Sequence, residues 1–81
     1  MSKQKQIAIK ALNSAIKHWD TSTADLGLKK AFEADRHNMT IVRELIETEE
    51  YGEASAVAWN LDTIVREAIP DVTWEFIKEN T

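Results

Sequence analysis

The chain has 81 residues, no cysteine, two glycines, one proline and a formal net charge of −4. A single domain covering residues 1–81 is expected, with a core so small that tight packing or a partner subunit must supply its stability. Disulfides and thiolate metal sites are excluded, and no apolar run approaches the ~20 residues of a membrane-spanning helix.

The net charge conceals a division. Residues 1–42 carry seven Lys and Arg against four Asp and Glu, a balance of +3, while residues 43–81 carry three against ten, a balance of −7. Such a chain can pair with itself or offer its acidic half to a basic partner. The basic start interleaves apolar residues with Lys10, Asn13 and Lys17, unlike the unbroken apolar block of a secretory signal. A cytoplasmic location is the expectation.

A first helix is predicted over residues 3–19. Its apolar residues, from Ile7 to Trp19, spread over roughly 200° of the wheel, wide for a peripheral helix. Either neighbours wrap it, or one flank meets another subunit. Lys3, Lys10 and Lys17 fall on one line of the opposite side. This line reads as solvated surface, with phosphate tracking as the functional alternative.

Residues 20–23 break the pattern. Ser22 with Asp25 has the form of a capping box, opening a second helix over residues 23–36 on the stripe Ala24, Leu28, Ala31 and Phe32. Gly27 weakens this helix, and fraying before Asp35 is expected to spare that carboxylate from burial. A connection at His37, Asn38, Met39 and Thr40 is predicted. A third helix over residues 41–49 then buries Ile41, Val42, Leu45 and Ile46.

The sequence ETEEYGE has no aliphatic side chain. It predicts a turn at Tyr51 and Gly52, with Gly52 free to take positive φ; a continuous helix from 41 to 69 is the alternative. The clearest amphipathic pattern follows over residues 53–69. Ala54, Val57, Ala58, Leu61, Ile64, Val65, Ala68 and Ile69 fill an arc of about 140°, and the rest of the chain is expected to pack around this helix. Pro70 ends it. Thr73 then caps a last short helix over 74–79, in preference to a strand at 72–76 that would have only a second copy to pair with.

The chain lacks the residues of a nucleophile elbow, a phosphate loop or a calcium loop. His18 and His37 lie in different elements, and no histidine–carboxylate metal spacing occurs. A chain of this size is also expected to have little room for a substrate cavity of ~300 Å³. These absences argue against an enzyme, a cofactor and a resident metal. The segments 23–36 and 41–49 have helix-turn-helix dimensions, but Glu44, Glu47 and Glu49 on the second would repel phosphates.

Protein binding remains. Glu44, Glu47, Glu49, Glu50 and Glu53 are concentrated within ten residues. Trp59 falls on the polar side of its helix, near Arg66, and exposed Trp and Arg are the residue types that dominate interface hot spots. The competing reading has the last helix fold over Trp59 and bury it. Trp19 and Trp74 are expected in the core.

The fold expected is all-α, a small bundle of four helices plus a short C-terminal helix. The function expected is that of a non-enzymatic regulatory interaction protein that masks or bridges a basic surface on another protein. Its candidate contact residues are Glu44, Glu47, Glu49, Glu50, Glu53, Trp59 and Arg66. A two-fold homodimer is the expected assembly. A DNA-binding regulator using the Lys-rich first helix is the alternative.

Overall fold

A computed structural model describes residues 3–19 and 26–81. Five helices account for most of them: α1 (Lys3–His18), α2 (Leu26–Glu47), α3 (Tyr51–Trp59), α4 (Thr63–Ala68) and α5 (Asp71–Glu79). No strand occurs among the described residues, so the fold is all-α and the segment 72–76 is helical. The cap formed by Ser22 and Asp25, and the helix start at Thr23, lie outside the described residues.

The partition of the helices differs from expectation. Residues 37–40 do not interrupt the second helix, which runs unbroken for 22 residues. Met39 is fully buried, so tertiary packing holds the helix through the weak local signal of His37, Asn38 and Thr40. The Thr40 hydroxyl donates back to the Arg36 carbonyl within the helix. The helix-turn-helix dimensions therefore disappear. Asp35 is held within α2 and half-buried, not freed by fraying.

The reverse break occurs in the segment 53–69. There the helix stops at Trp59 and restarts at Thr63. The Asn60 side-chain amide donates to the Ala56 carbonyl at 2.7 Å, and Leu61 N–H turns back to Ala58 at 3.3 Å. Asp62 has ψ 152°, outside helical geometry, and its carbonyl accepts the first bond of α4 from Arg66 N–H at 2.9 Å. Asn60 thus supplies the end through its side chain, and Asp62 the start through its extended backbone, without a side-chain cap bond. The buried steps of three and four continue across the break. Ala54, Ala58, Leu61, Val65 and Ile69 are buried as expected, but Ile64 is 66% exposed.

The turn after α2 also moves. It falls at Thr48, Glu49 and Glu50, while Gly52 lies inside α3 without positive φ. Glu50 N–H bonds to Leu45 O at 2.8 Å and Glu49 N–H to Ile46 O at 3.1 Å, the paired bonds of a Schellman motif. Glu49 occupies its left-handed position, with φ 64°.

α5 starts three residues earlier than expected. Pro70 is its N-cap, and Thr73 lies within the helix, fully buried, its hydroxyl donating to the Ala8 carbonyl of α1 at 2.9 Å.

The segment 53–69 contributes Ala54, Ala58, Leu61, Val65 and Ile69 to the core and shares the packing with α1 and α2. α1 packs on α2 and α5, and α2 packs on α3. Antiparallel ties between α1 and α2 include Arg43 Nη1 to Asn13 Oδ1 at 3.0 Å; just beyond α1, Trp19 Nε1 donates to Phe32 O at 2.9 Å. One core joins Ala8 and Leu12 of α1, Met39, Val42 and Ile46 of α2, Ala54 and Ala58 of α3, Leu61, Val65 and Ile69 of the following segment, and Phe76 and Ile77 of α5. The wide apolar face of α1 is largely consumed in this packing, although Ile7 remains 46% exposed.

Candidate functional site

Pro70 organises the end of the molecule that carries Trp59. It has no N–H, so the Arg66 carbonyl four residues earlier lacks its i+4 donor and keeps only the bond from Ile69 N–H at 3.3 Å. Trp74, four residues after Pro70 on α5, donates its indole N–H to that carbonyl at 3.0 Å. This bond draws the Trp74 ring against Trp59, with centroids 5.0 Å apart and planes at 49°. The Arg66 guanidinium lies over the Trp59 ring, 5.8 Å from its centroid, and Nη2 donates to the Thr63 hydroxyl at 3.1 Å. Arg66 Nε is buried without a hydrogen-bond partner.

Each of the two readings of Trp59 captures part of this arrangement. The last helix does fold beside Trp59, yet the ring stays 62% exposed. Trp74 is half-buried, as is Trp19. The space between α3, α4 and α5 is an open groove of about 710 Å³ with mostly apolar walls. α5 presents Asp71, Trp74, Glu75 and Lys78 to it, the i, i+3, i+4, i+7 spacing of one helix face. Ser55 and Trp59 enter from α3, and Thr63, Arg66 and Glu67 from α4. The groove is open to solvent and is not an enclosed substrate cavity.

The five glutamates form a second region at the other end of α3, about 12 Å of helical rise from Trp59. All are exposed. Glu44 and Glu47 end α2, Glu49 and Glu50 form the turn, and Glu53 lies in the first turn of α3, where the helix dipole favours an anion. Several have partners within the chain. Arg43 lies 3.9 Å from Glu44 and 3.7 Å from Glu47, and the Thr48 hydroxyl donates to Glu50 at 2.7 Å. Glu49 meets Lys5 at 3.3 Å. The candidate contact residues thus fall into two groups, the acidic turn and the Trp59–Arg66 pair, bridged by α3.

No family model, no curated protein and no solved structure matches this chain. Its function has to be argued from the site alone.

Sequence reasoning missed Lys5 and the groove-facing role of Trp74. Lys5 is only 4% exposed, and its ammonium donates to the Glu47 carbonyl at 3.1 Å as well as pairing with Glu49. The spacing does mark Lys5 apart from Lys3 and Lys10, since it shares the buried face of α1 with Ala8 and Leu12 three and seven residues on. The signal for Trp74 was present, in its four-residue spacing from Pro70 and the eight residues separating it from Arg66.

The carboxyl of Asp35 is displaced in its titration. Burial raises its pKa above the ordinary value of 3.8, and the charge of Asp62 raises it further. Among the described residues no group of three or more His, Asp and Glu is placed to hold a metal ion. No helix among them is long and apolar enough to cross a membrane.

Proposed function

We propose that this protein is a non-enzymatic interaction module of the cytoplasm, which regulates a partner by docking on a basic surface of it. The observation that supports this reading is Trp59: a large aromatic ring left mostly exposed, fixed by Trp74 and Arg66, and opening onto a groove. A rigid Trp beside an Arg is the chemistry of an interface anchor, since ordering it on binding costs little further entropy. The acidic turn would add long-range attraction.

Capture tests this reading. The chain is immobilised and exposed to lysate of its native cell, beside a Trp59→Ala chain. A purified basic protein retained directly by the first and lost from the second supports docking through Trp59. Equal retention on both removes Trp59 from the interface.

A DNA-binding regulator is the second reading. It is favoured by Lys3, Lys10 and Lys17, which are all exposed on α1. It predicts retention on heparin at physiological salt, lost when the three lysines are reversed to Glu. A homodimer is a further proposal, supported by Ile7 and Val72. Both are partly exposed and line one small cleft between α1 and α5. Sedimentation equilibrium tests it.

A further inference from the structure

The groove specifies more than a generic partner. Its deeper walls come from Trp59, Trp74 and the buried Ile77, while Glu67, Asp71 and Glu75 line it as exposed carboxylates. The cations there are Arg66 and Lys78. Arg66 is already engaged, with its guanidinium over Trp59 and a bond to Thr63. The helices that build the groove, residues 51–81, carry Arg66 and Lys78 against six Asp and Glu, a net charge of −4. Apolar walls with carboxylates around them suit a side chain that has a long aliphatic stem and a cationic head, because the stem covers aromatic surface while the head stays at the water boundary. Guanidinium and ammonium groups are also drawn to the face of Trp, and Arg66 shows this ring already holding one. At about 710 Å³ and open to solvent, the groove has space for several such side chains.

We infer that the groove between α3, α4 and α5 takes an extended segment rich in lysine and arginine from a partner protein, its side-chain stems on Trp59 and Trp74 and its charged heads at Glu67, Asp71 and Glu75. The inference rests on the docking reading above and names the chemistry of the docked part. The acidic turn at the far end of α3 steers such a segment without forming its seat.

The test uses the full chain and a fluorescein-labelled synthetic peptide that alternates Gly with Lys and Arg. Two control peptides carry Glu or Leu at the basic positions. Binding is followed by fluorescence anisotropy at low and physiological salt. The basic peptide is expected to bind and the Glu peptide not to. Trp59→Ala should weaken binding by about tenfold or more, the scale of a lost anchor. The double variant Glu67→Lys, Glu75→Lys should do the same, and it keeps the test valid should the tryptophan variant fold poorly by circular dichroism. Glu50→Lys with Glu53→Lys should change the equilibrium constant by less than about threefold, since charges outside a seat act mainly on encounter.

Tighter binding of the Leu peptide overturns the inference. So does basic-peptide binding that ignores both groove variants. If that binding falls instead with Glu50→Lys and Glu53→Lys, the basic-partner reading stands on the acidic turn and the groove assignment alone is lost. Absence of basic-peptide binding, with Trp59-dependent capture of a folded partner retained, likewise removes the segment and leaves the docking reading. Self-association that Trp59→Ala abolishes would seat a second copy in the groove and overturn the inference.

Discussion

Lys5, at the start of α1, reaches across the core boundary to Glu49, 44 residues further along, and holds the end of α2 through two acceptors. Its ammonium bonds the Glu47 carbonyl at 3.1 Å and the Glu49 carboxylate at 3.3 Å. A helix C-terminus presents unpaired carbonyls and partial negative charge, so a cation there is favoured. Glu49 itself is in the left-handed region, which costs a non-glycine residue roughly 1–2 kcal/mol.

This arrangement separates three variants. Lys5→Met should lower stability by about 1.5–3 kcal/mol, the range for a hydrogen bond to a charged group. Glu49→Lys should also destabilise, by setting a second cation against a buried one. Glu49→Gly should not, because relief of the backbone offsets the loss of an ion pair whose carboxylate is largely exposed. Urea unfolding of the three variants checks the order. The acidic turn must therefore be probed for function at Glu50 and Glu53, since reversal at Glu49 disturbs the fold.

Core and surface apolar residues should respond very differently. Leu12 is fully buried, and Leu12→Ala should cost about 2–5 kcal/mol. Leu61, also buried though outside regular helix, should lose stability in the same direction. Ile64 is largely exposed, and Ile64→Ala should stay within about 0.5 kcal/mol of the parent. Urea midpoints of Leu12→Ala and Ile64→Ala that coincide would contradict the observed phase of α4.

These sites show where the sequence was legible. The apolar stripe over Ala54, Ala58, Leu61, Val65 and Ile69 marks buried positions correctly, because steps of three and four survive a short interruption. The interruption itself depends on Asn60, whose side chain bonds the Ala56 carbonyl, and on the extended backbone of Asp62, neither of which alters the hydrophobic pattern. Residues 37–40 mislead in the opposite sense: local propensity is poor there, and the burial of Met39 decides. Gly52 drew attention as a turn glycine, yet a glutamate takes the left-handed position beside a lysine 44 residues away. The place of Lys5 on the buried face of α1 is readable from its spacing, but the partner 44 residues away is not. Within the candidate site, the polar-side placement of Trp59 was readable from the helical wheel. Its cover by Trp74 depended on where α5 begins, which the choice of Thr73 as cap placed too late.

Asp35 predicts a pH dependence. Its pKa is raised in the folded chain, first by burial and then by Asp62. The folded state therefore holds this proton to higher pH than the unfolded state, and stability falls as pH rises from about the ordinary value of 3.8 through the raised folded value. Above that window the penalty is complete; below it both states are protonated and the penalty vanishes. Asp35→Asn should raise the urea midpoint at neutral pH, and the gain should disappear in acid below the window. An equal gain at both pH values would place the effect elsewhere than in the carboxylate charge.

Docking through Trp59, with steering by the acidic turn, is tested most directly by surface plasmon resonance against the captured partner at two salt concentrations. Trp59→Ala should accelerate dissociation by about tenfold or more and leave association nearly unchanged, as expected for the loss of a buried anchor. Glu50→Lys with Glu53→Lys should slow association at low salt and leave dissociation nearly unchanged. Dissociation unaltered by Trp59→Ala, in a chain whose circular dichroism matches the parent, would contradict the account.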